Sequence, residues 1–166
     1  ASFLFLFLDI AVLTISDTRT PDDDRSGDLL AERIAEDGHV LASRMIVTDD
    51  VDRITARLQD WIEDPQIDVI VTTGGTGLTG RDSTPEAFDR TVEKAIPGFG
   101  ELFRQLSYEK IGTSTIQSRA VAGVAGGTYL FALPGSPSGC RDGWDDILRY
   151  QLDIRHRPCN FVEIMP

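Results

Sequence analysis

Histidine, cysteine, tryptophan and methionine each occur only twice in this 166-residue sequence, and acidic residues outnumber basic ones 27 to 16. Each scarcity removes a class of function. With His39 and His156 as the only imidazoles, a zinc site of the Cys/His kind and a Ser-His-Asp triad are both remote. His39, in a turn before a strand, reads as structural. The spacing of Cys140 and Cys159 fits neither a metal site nor a redox pair, so both are expected as buried free thiols. A formal net charge of −11 repels nucleic-acid backbones and anionic membranes, so neither is an expected partner. No apolar run approaches the roughly 20 residues that a membrane helix needs. The one conspicuous run, Phe3-Leu-Phe-Leu-Phe-Leu8, lacks the basic flank and cleavage site of a signal peptide. It is expected as an extended edge packed on the body or on a neighbouring copy, and the expected compartment is the reducing cytoplasm.

What is present is the composition of one ordinary globular domain, 41% hydrophobic and 26% charged. Residues 1–9 read as a hydrophobic extension and 10–166 as the domain. Apolar runs at Ile10 to Ile15, Val40 to Val47 and Val69 to Thr73 predict strands. Between them, Leu29, Leu30, Ile34 and Ile54, Leu58, Trp61, Ile62 recur with helical period. Ser26 is expected to cap the first helix, over Asp28 to Glu36, while Asp22 to Asp24 reads as a solvated loop or cap. Later helices are expected over Glu86 to Lys94 and, after a break at Ile96-Pro-Gly-Phe-Gly100, over Glu101 to Glu109 with Leu102, Phe103 and Leu106 inward. The hydroxyl-rich stretch 112–120 suits a short helix flanking a cavity. Val121 to Val124 and Tyr129 to Leu133 predict a hairpin turning at Gly126-Gly127, before a closing helix marked by Trp144, Ile147 and Leu148. Arg155-His156-Arg157-Pro158 reads as a solvated basic patch. Such alternation implies an α/β fold, a three-layer sandwich with a mostly parallel central sheet.

The chain is organised around Asp68-Val-Ile-Val-Thr-Thr-Gly-Gly-Thr-Gly-Leu-Thr-Gly-Arg-Asp-Ser-Thr-Pro-Glu86. A buried strand runs into a glycine cluster and then a helix that Pro85 opens and Ser83 or Thr84 can cap. Exposed backbone N–H groups at a helix start form an anion site, most naturally for phosphate. Gly75, Gly77 and Gly80 have dinucleotide-fingerprint spacing, but the acidic second strand is missing; Arg81-Asp82 stands where a P-loop needs Lys and Ser/Thr. The alternative is a tight turn needing several residues at positive φ.

Strand ends should gather Ser16 to Thr20, Gly74 to Ser83 and Leu133 to Pro137 at one edge, with Asp49 beside them. Asp49 could equally be a helix cap. The pocket offers carboxylate, hydroxyl, guanidinium and backbone amide, a set that suits Mg²⁺ and polyphosphate. Asp49 and Asp82 would hold the ion, Gly74 to Gly77 would cradle phosphate oxygens, and Arg81 could balance developing charge.

Ser16-Asp17-Thr18, Thr73-Gly-Gly-Thr-Gly-Leu78, Arg81-Asp82, Thr84-Pro85-Glu86, Pro97-Gly-Phe-Gly-Glu101, Ser118-Arg119 and Leu133-Pro-Gly-Ser136 together resemble the MoaB/MogA family of molybdenum cofactor biosynthesis proteins. Residues 112–123 and Arg157-Pro-Cys-Asn-Phe161 resemble the MoaB branch in particular. The resemblance implies a MogA-like fold, self-association as a trimer or hexamer, and Mg²⁺-dependent adenylyl transfer from ATP to molybdopterin with release of pyrophosphate. It implies Asp49 and Asp82 as catalytic, metal-holding residues, and Gly74, Gly75, Thr76, Gly77, Arg81 and Ser83 as the nucleotide-phosphate site. Ser16, Asp17, Pro134, Gly135 and Ser136 would face the pterin. A carrier that binds the pterin without turnover stays open as the second reading, and a dinucleotide-binding oxidoreductase as the third.

Overall fold

A computed structural model describes residues 4–165. In chain order its elements are β1 (Asp9–Ile15), α1 (Arg25–Glu36), β2 (Val40–Val47), α2 (Val51–Ile62), β3 (Val69–Thr73), α3 (Thr84–Thr91), β4 (Lys94–Ala95) and α4 (Pro97–Ile111). A 3₁₀ helix (Gly112–Gln117), β5 (Val121–Ala125), β6 (Thr128–Leu133), α5 (Pro137–Gly143), a π-helical turn (Trp144–Leu148) and α6 (Arg149–Gln151) follow.

Six described strands form one sheet in the order β2-β1-β3-β6-β5-β4. The pairings β2-β1, β1-β3 and β3-β6 are parallel; β5 is antiparallel to both β6 and β4. Strands β3 and β6 are buried at every position, and β1 at every position after Asp9, because helices cover both faces. Ile10, Val12, Val69, Val71, Tyr129 and Phe131 point to one face and pack with α1, α4 and the C-terminal helices. Ala11, Leu13, Ile70, Leu130 and Ala132 point to the other and pack with α2 and α3. This is the expected three-layer sandwich.

Several local expectations are corrected. The first helix starts at Arg25, capped by Asp24, whose carboxylate accepts the Gly27 N–H at 3.0 Å. Asp24 is fully buried, not solvated, and also accepts from Thr14 Oγ1 (2.7 Å) and Arg44 Nη2 (3.1 Å). Ser26 caps nothing: it donates to the Gly135 carbonyl at 2.7 Å. Asp50, not Asp49, caps α2. Helix α3 stops at Thr91, because Val92 is extended and Lys94-Ala95 pairs with β5. The expected break at Ile96 to Gly100 is instead the start of α4: Pro97 supplies a pre-set φ where no N–H bond is needed. Gly100 is required there, since a Cβ would lie 2.4 Å from the Ala120 carbonyl oxygen. The inward face of α4 runs through Phe99, Phe103 and Ser107, with Leu106 partly buried, which turns Leu102 outward. Of the cysteines only Cys140 is buried; Cys159 is exposed. The hairpin forms with both Gly126 (φ 56°) and Gly127 (φ 84°) left-handed, as a two-residue turn of the primed kind requires.

Phe3 lies outside the described residues. In the rest of that apolar run, Leu8 is buried and donates its N–H to His39 Nδ1 at 3.0 Å. Phe5 lies 5.1 Å from the His39 ring and 4.9 Å from the Arg155 guanidinium. Leu4, Leu6 and Phe7 are exposed. Arg155 pairs with Asp153 and Arg157 with Glu163, so the C-terminal basic patch is tied to acids.

Candidate functional site

The chain leaves β1 through α1 towards β2, whereas β3 lies on the opposite side of β1. At such a switch in strand order the connections part and open a crevice at the carboxyl ends of the strands. Here the crevice is about 910 Å³, and the loops after β1, β3 and β6 line it.

The loop after β3 can lie in this crevice only because it is glycine-rich. Gly74 has φ 104°, and a Cβ there would sit 2.2 Å from the Ile15 carbonyl oxygen. Gly75 has φ 70°, and its Cβ would meet Thr84 Oγ1 at 2.2 Å and Asp49 Oδ2 at 3.1 Å. A Cβ on Gly77 would fall 2.7 Å from Asp82 Oδ2. The turn reading therefore holds for Gly74 and Gly75, but it does not stand against the cradle reading: the same absence of side chains presses the backbone against two carboxylates. Gly80 meets nothing within 4 Å and is not required by packing.

Asp49 lies two residues past the end of β2, and with Asp50 serving as the cap its side chain is free to turn into the site. It is buried; Oδ1 accepts the Ser83 N–H at 3.0 Å and the Ser83 hydroxyl at 2.6 Å. Asp82 Oδ2 accepts the Thr79 N–H at 2.9 Å and the Thr79 hydroxyl at 2.8 Å, closing the loop tip. Each carboxylate thus keeps a second oxygen with no hydrogen bond among the described residues. Asp17 does not: it takes the Arg81 fork at 3.0 and 2.8 Å and the Asp49 N–H at 3.0 Å. That guanidinium holds the Asp17 carboxyl below its usual range, and the same contact raises Arg81.

Arg81 therefore meets the cleft already paired, and Asp17 sits on the Asp49 side, bridging two loops. Ser16 Oγ accepts from the N–H groups of Thr18 and Arg19 and shapes the loop after β1. Across the cleft, the Pro134 carbonyl accepts from Thr73 Oγ1 at 2.7 Å, and Ser136 caps α5. Gly135 passes so close that its Cβ would lie 3.3 Å from Gly74 Cα. All the residues expected at the site line the cleft except Ser83, which stands behind Asp49 and orients it. Cys140, beneath the β6 loop, donates to Thr73 Oγ1 at 3.1 Å, and burial pushes its thiol up to about 11. It is not a nucleophile.

The family model described as "Probable molybdopterin binding domain" matches residues 11–154. The Molybdenum cofactor biosynthesis protein B of Escherichia coli (strain K12) is 49% identical over 152 residues, which are 92% of this chain and 89% of that one. This chain belongs to the MoaB/MogA family. The Staphylococcus carnosus protein of the same name is 44% identical over 146 residues, 86% of this chain and 85% of that one. Among solved structures, a Molybdenum cofactor biosynthesis protein B superposes with a TM-score of 0.86 at 40% identity, covering 89% of this chain and 92% of the other. The tungsten cofactor synthesizing protein MoaB from Pyrococcus furiosus gives 0.76 at 36% identity, covering 86% and 91%.

In this MoaB/MogA-family cleft no group of three or more His, Cys, Asp or Glu side chains among the described residues could enclose a metal. That does not disqualify Mg²⁺, which takes one or two carboxylates and completes its shell with phosphate oxygens and water. One uncommitted oxygen on each of Asp49 and Asp82, both lining the cleft, fits that donor set. The hydroxyl-rich stretch 112–120 does form a short helix flanking the cavity, as expected, and its Ser114, Gln117 and Ser118 line the cleft. Sequence reasoning missed Ser107 and Lys110 of α4, which line it too. Lys110 is paired with Asp142. Ser118 Oγ is buried and has no hydrogen-bond partner among the described residues.

Proposed function

We propose that this protein acts in molybdenum cofactor biosynthesis by binding molybdopterin and Mg-ATP in the cleft and transferring the adenylyl group. The observation that carries the reading is the loop from Gly74 to Gly77, whose Gly75 and Gly77 bring the backbone hard against Asp49 and Asp82. The N–H groups of this loop and the start of α3 suit the triphosphate. The loop from Pro134 to Ser136, together with Ser16 and Asp17, forms the pterin side.

In the reaction an oxygen of the pterin's terminal phosphate forms a bond to the α-phosphorus of ATP. The bond from that phosphorus to the α–β bridging oxygen breaks, and pyrophosphate leaves with the electron pair. Asp49, oriented by Ser83, and Asp82, held by Thr79, would bind Mg²⁺; the ion, when bound, supplies charge neutralisation for the polyphosphate. The protein contributes alignment of the two phosphates and fixed donors for the charge that develops. One observation favours the carrier reading. Arg81, the residue expected to balance developing charge, is already paired with Asp17.

Pyrophosphate release from ATP and molybdopterin separates the two. Wild type should turn over, and Asp82→Asn and Asp49→Asn should each lower the rate on the order of 10²-fold. Tight pterin binding with no pyrophosphate selects the carrier.

We further propose that the chain works as a cytoplasmic homo-oligomer. Supporting this, β2 is a sheet edge carrying exposed Val40, Leu41 and Met45. Among the described residues no helix is long and apolar enough to cross a membrane.

A further inference from the structure

One residue in the second half of the sequence holds the phosphate loop from behind at three points, two through its side chain and one through its backbone. Arg119 Nε donates to the Gly77 carbonyl at 2.8 Å, and Nη2 donates to the Asp82 carbonyl at 2.9 Å. Its backbone N–H donates to the Thr76 carbonyl at 2.9 Å. Both ends of the exposed segment between Thr76 and Asp82 are thus fastened to the same residue. Within that segment Asp82 closes the tip on Thr79, and Arg81 reaches out to Asp17 in the loop after β1.

The guanidinium is itself held. Glu86, in the first turn of α3, receives Nη1 at 2.6 Å on Oε2 and Nη2 at 3.1 Å on Oε1. Arg104 of α4 donates to the Ser118 and Ala120 carbonyls, on either side of Arg119, at 3.3 and 3.0 Å. The planar fork is needed for this pattern: a lysine ammonium carries the charge but cannot reach two carbonyls and a bidentate carboxylate in one plane. Arg119 does not line the cleft, so the clamp acts through the loop and not on a ligand.

We infer that Arg119 is a positioning residue that sets the carbonyls of Gly77 and Asp82, and with them the direction of the loop N–H groups and of the Asp82 carboxylate, while Glu86 fixes its fork. The kinetic part of this rests on the adenylyl-transfer reading; the structural part does not. Because the same residue continues the wall that carries Ser114, Gln117 and Ser118, it also ties the two sides of the cleft together.

Hydrogen exchange, thermal melting and steady-state kinetics on full-length Arg119→Ala, Arg119→Lys and Glu86→Gln test it. In Arg119→Ala, amides between residues 76 and 83 should exchange at least about tenfold faster, the equivalent of one lost charge-assisted bond, while β3 and β6 stay protected. The KM for Mg-ATP should rise and kcat fall together, because a misplaced loop weakens binding and moves Asp82. Arg119→Lys should behave like Arg119→Ala, and Glu86→Gln should show a smaller loop effect in the same direction. Wild-type loop exchange in Arg119→Ala, or full recovery in Arg119→Lys, overturns the clamp. So does faster exchange throughout β3 and β6 with KM unchanged, which would mark a general stabiliser. Should Arg119→Ala fail to fold, the exposed Glu86 variant decides alone: unaltered loop exchange there rejects the inference. Should wild type neither bind Mg-ATP nor release pyrophosphate, the proposed reaction fails, and the loop-exchange comparison still decides the clamp.

Discussion

What an aspartate does here is set by its neighbours, and five of them near the strand ends have separate fates. Asp50 is an N-cap on α2; Asp17 is neutralised by Arg81; Asp49 and Asp82 are oriented by hydroxyls and keep an oxygen each for the cleft. Asp24 is wholly structural. It caps α1, accepts from Thr14 on the neighbouring strand and pairs with the half-buried Arg44. Replacing it removes a cap, takes the acceptor from the Thr14 hydroxyl and leaves Arg44 with Asp28 alone, so Asp24→Ala should lower stability by about 2 kcal/mol. Asp50→Ala removes a cap alone and should cost about 1 kcal/mol. Urea unfolding of both variants checks the ranking; equal losses would mean that Asp28 by itself satisfies Arg44. None of this was legible from composition. In the sequence Asp22, Asp23 and Asp24 are alike, and only the fold buries the third of them.

Among the elements, the strands were the most legible. A run such as Val69 to Thr73 has one way to bury every side chain, and β2 begins and ends where its apolar residues do. Helix ends were less legible, because Ser26 and Asp24 are both good caps and Pro97 can either break a helix or open one. The segment before β1 carries a chemical dependence of its own. Leu8 donates to His39 Nδ1, so the neutral imidazole keeps its proton on Nε2. Burial lowers His39 below the ordinary 6.5, against the opposing pull of Asp37 and Asp153, while Arg155 faces the neighbouring Phe5. Below 6.5 the unfolded chain binds the proton that the folded chain refuses. The contribution is therefore complete above 6.5 and is lost as pH falls through the lower folded value. Urea midpoints should drop between pH 7 and pH 5, and His39→Gln should flatten that slope. An unchanged slope would show that other groups govern it.

For the whole molecule, the order β2-β1-β3-β6 matters more than any single element. It brings residues from four separate stretches of sequence to one opening. The same order leaves β2 unpaired on its outer side, with Val40, Leu41 and Met45 exposed. For a chain of 18.3 kDa that associates as proposed, light scattering at micromolar concentration should give three or six times that mass. A monomer mass under those conditions would refute the association.

The sequence by itself determined the layers and the place of the cleft, because hydrophobic period selects strand or helix and alternation selects a parallel sheet. It also marked the glycine loop, Asp49 and Asp82, since few residue types tolerate such backbone or offer such oxygens. Tertiary structure alone decided which charges are free. Arg81 is lost to Asp17, Ser83 to Asp49, and Arg119 is bound to a loop more than thirty residues away. Hydrogen bonds depend on distance and direction between side chains remote in sequence, and those are quantities that a linear pattern does not contain.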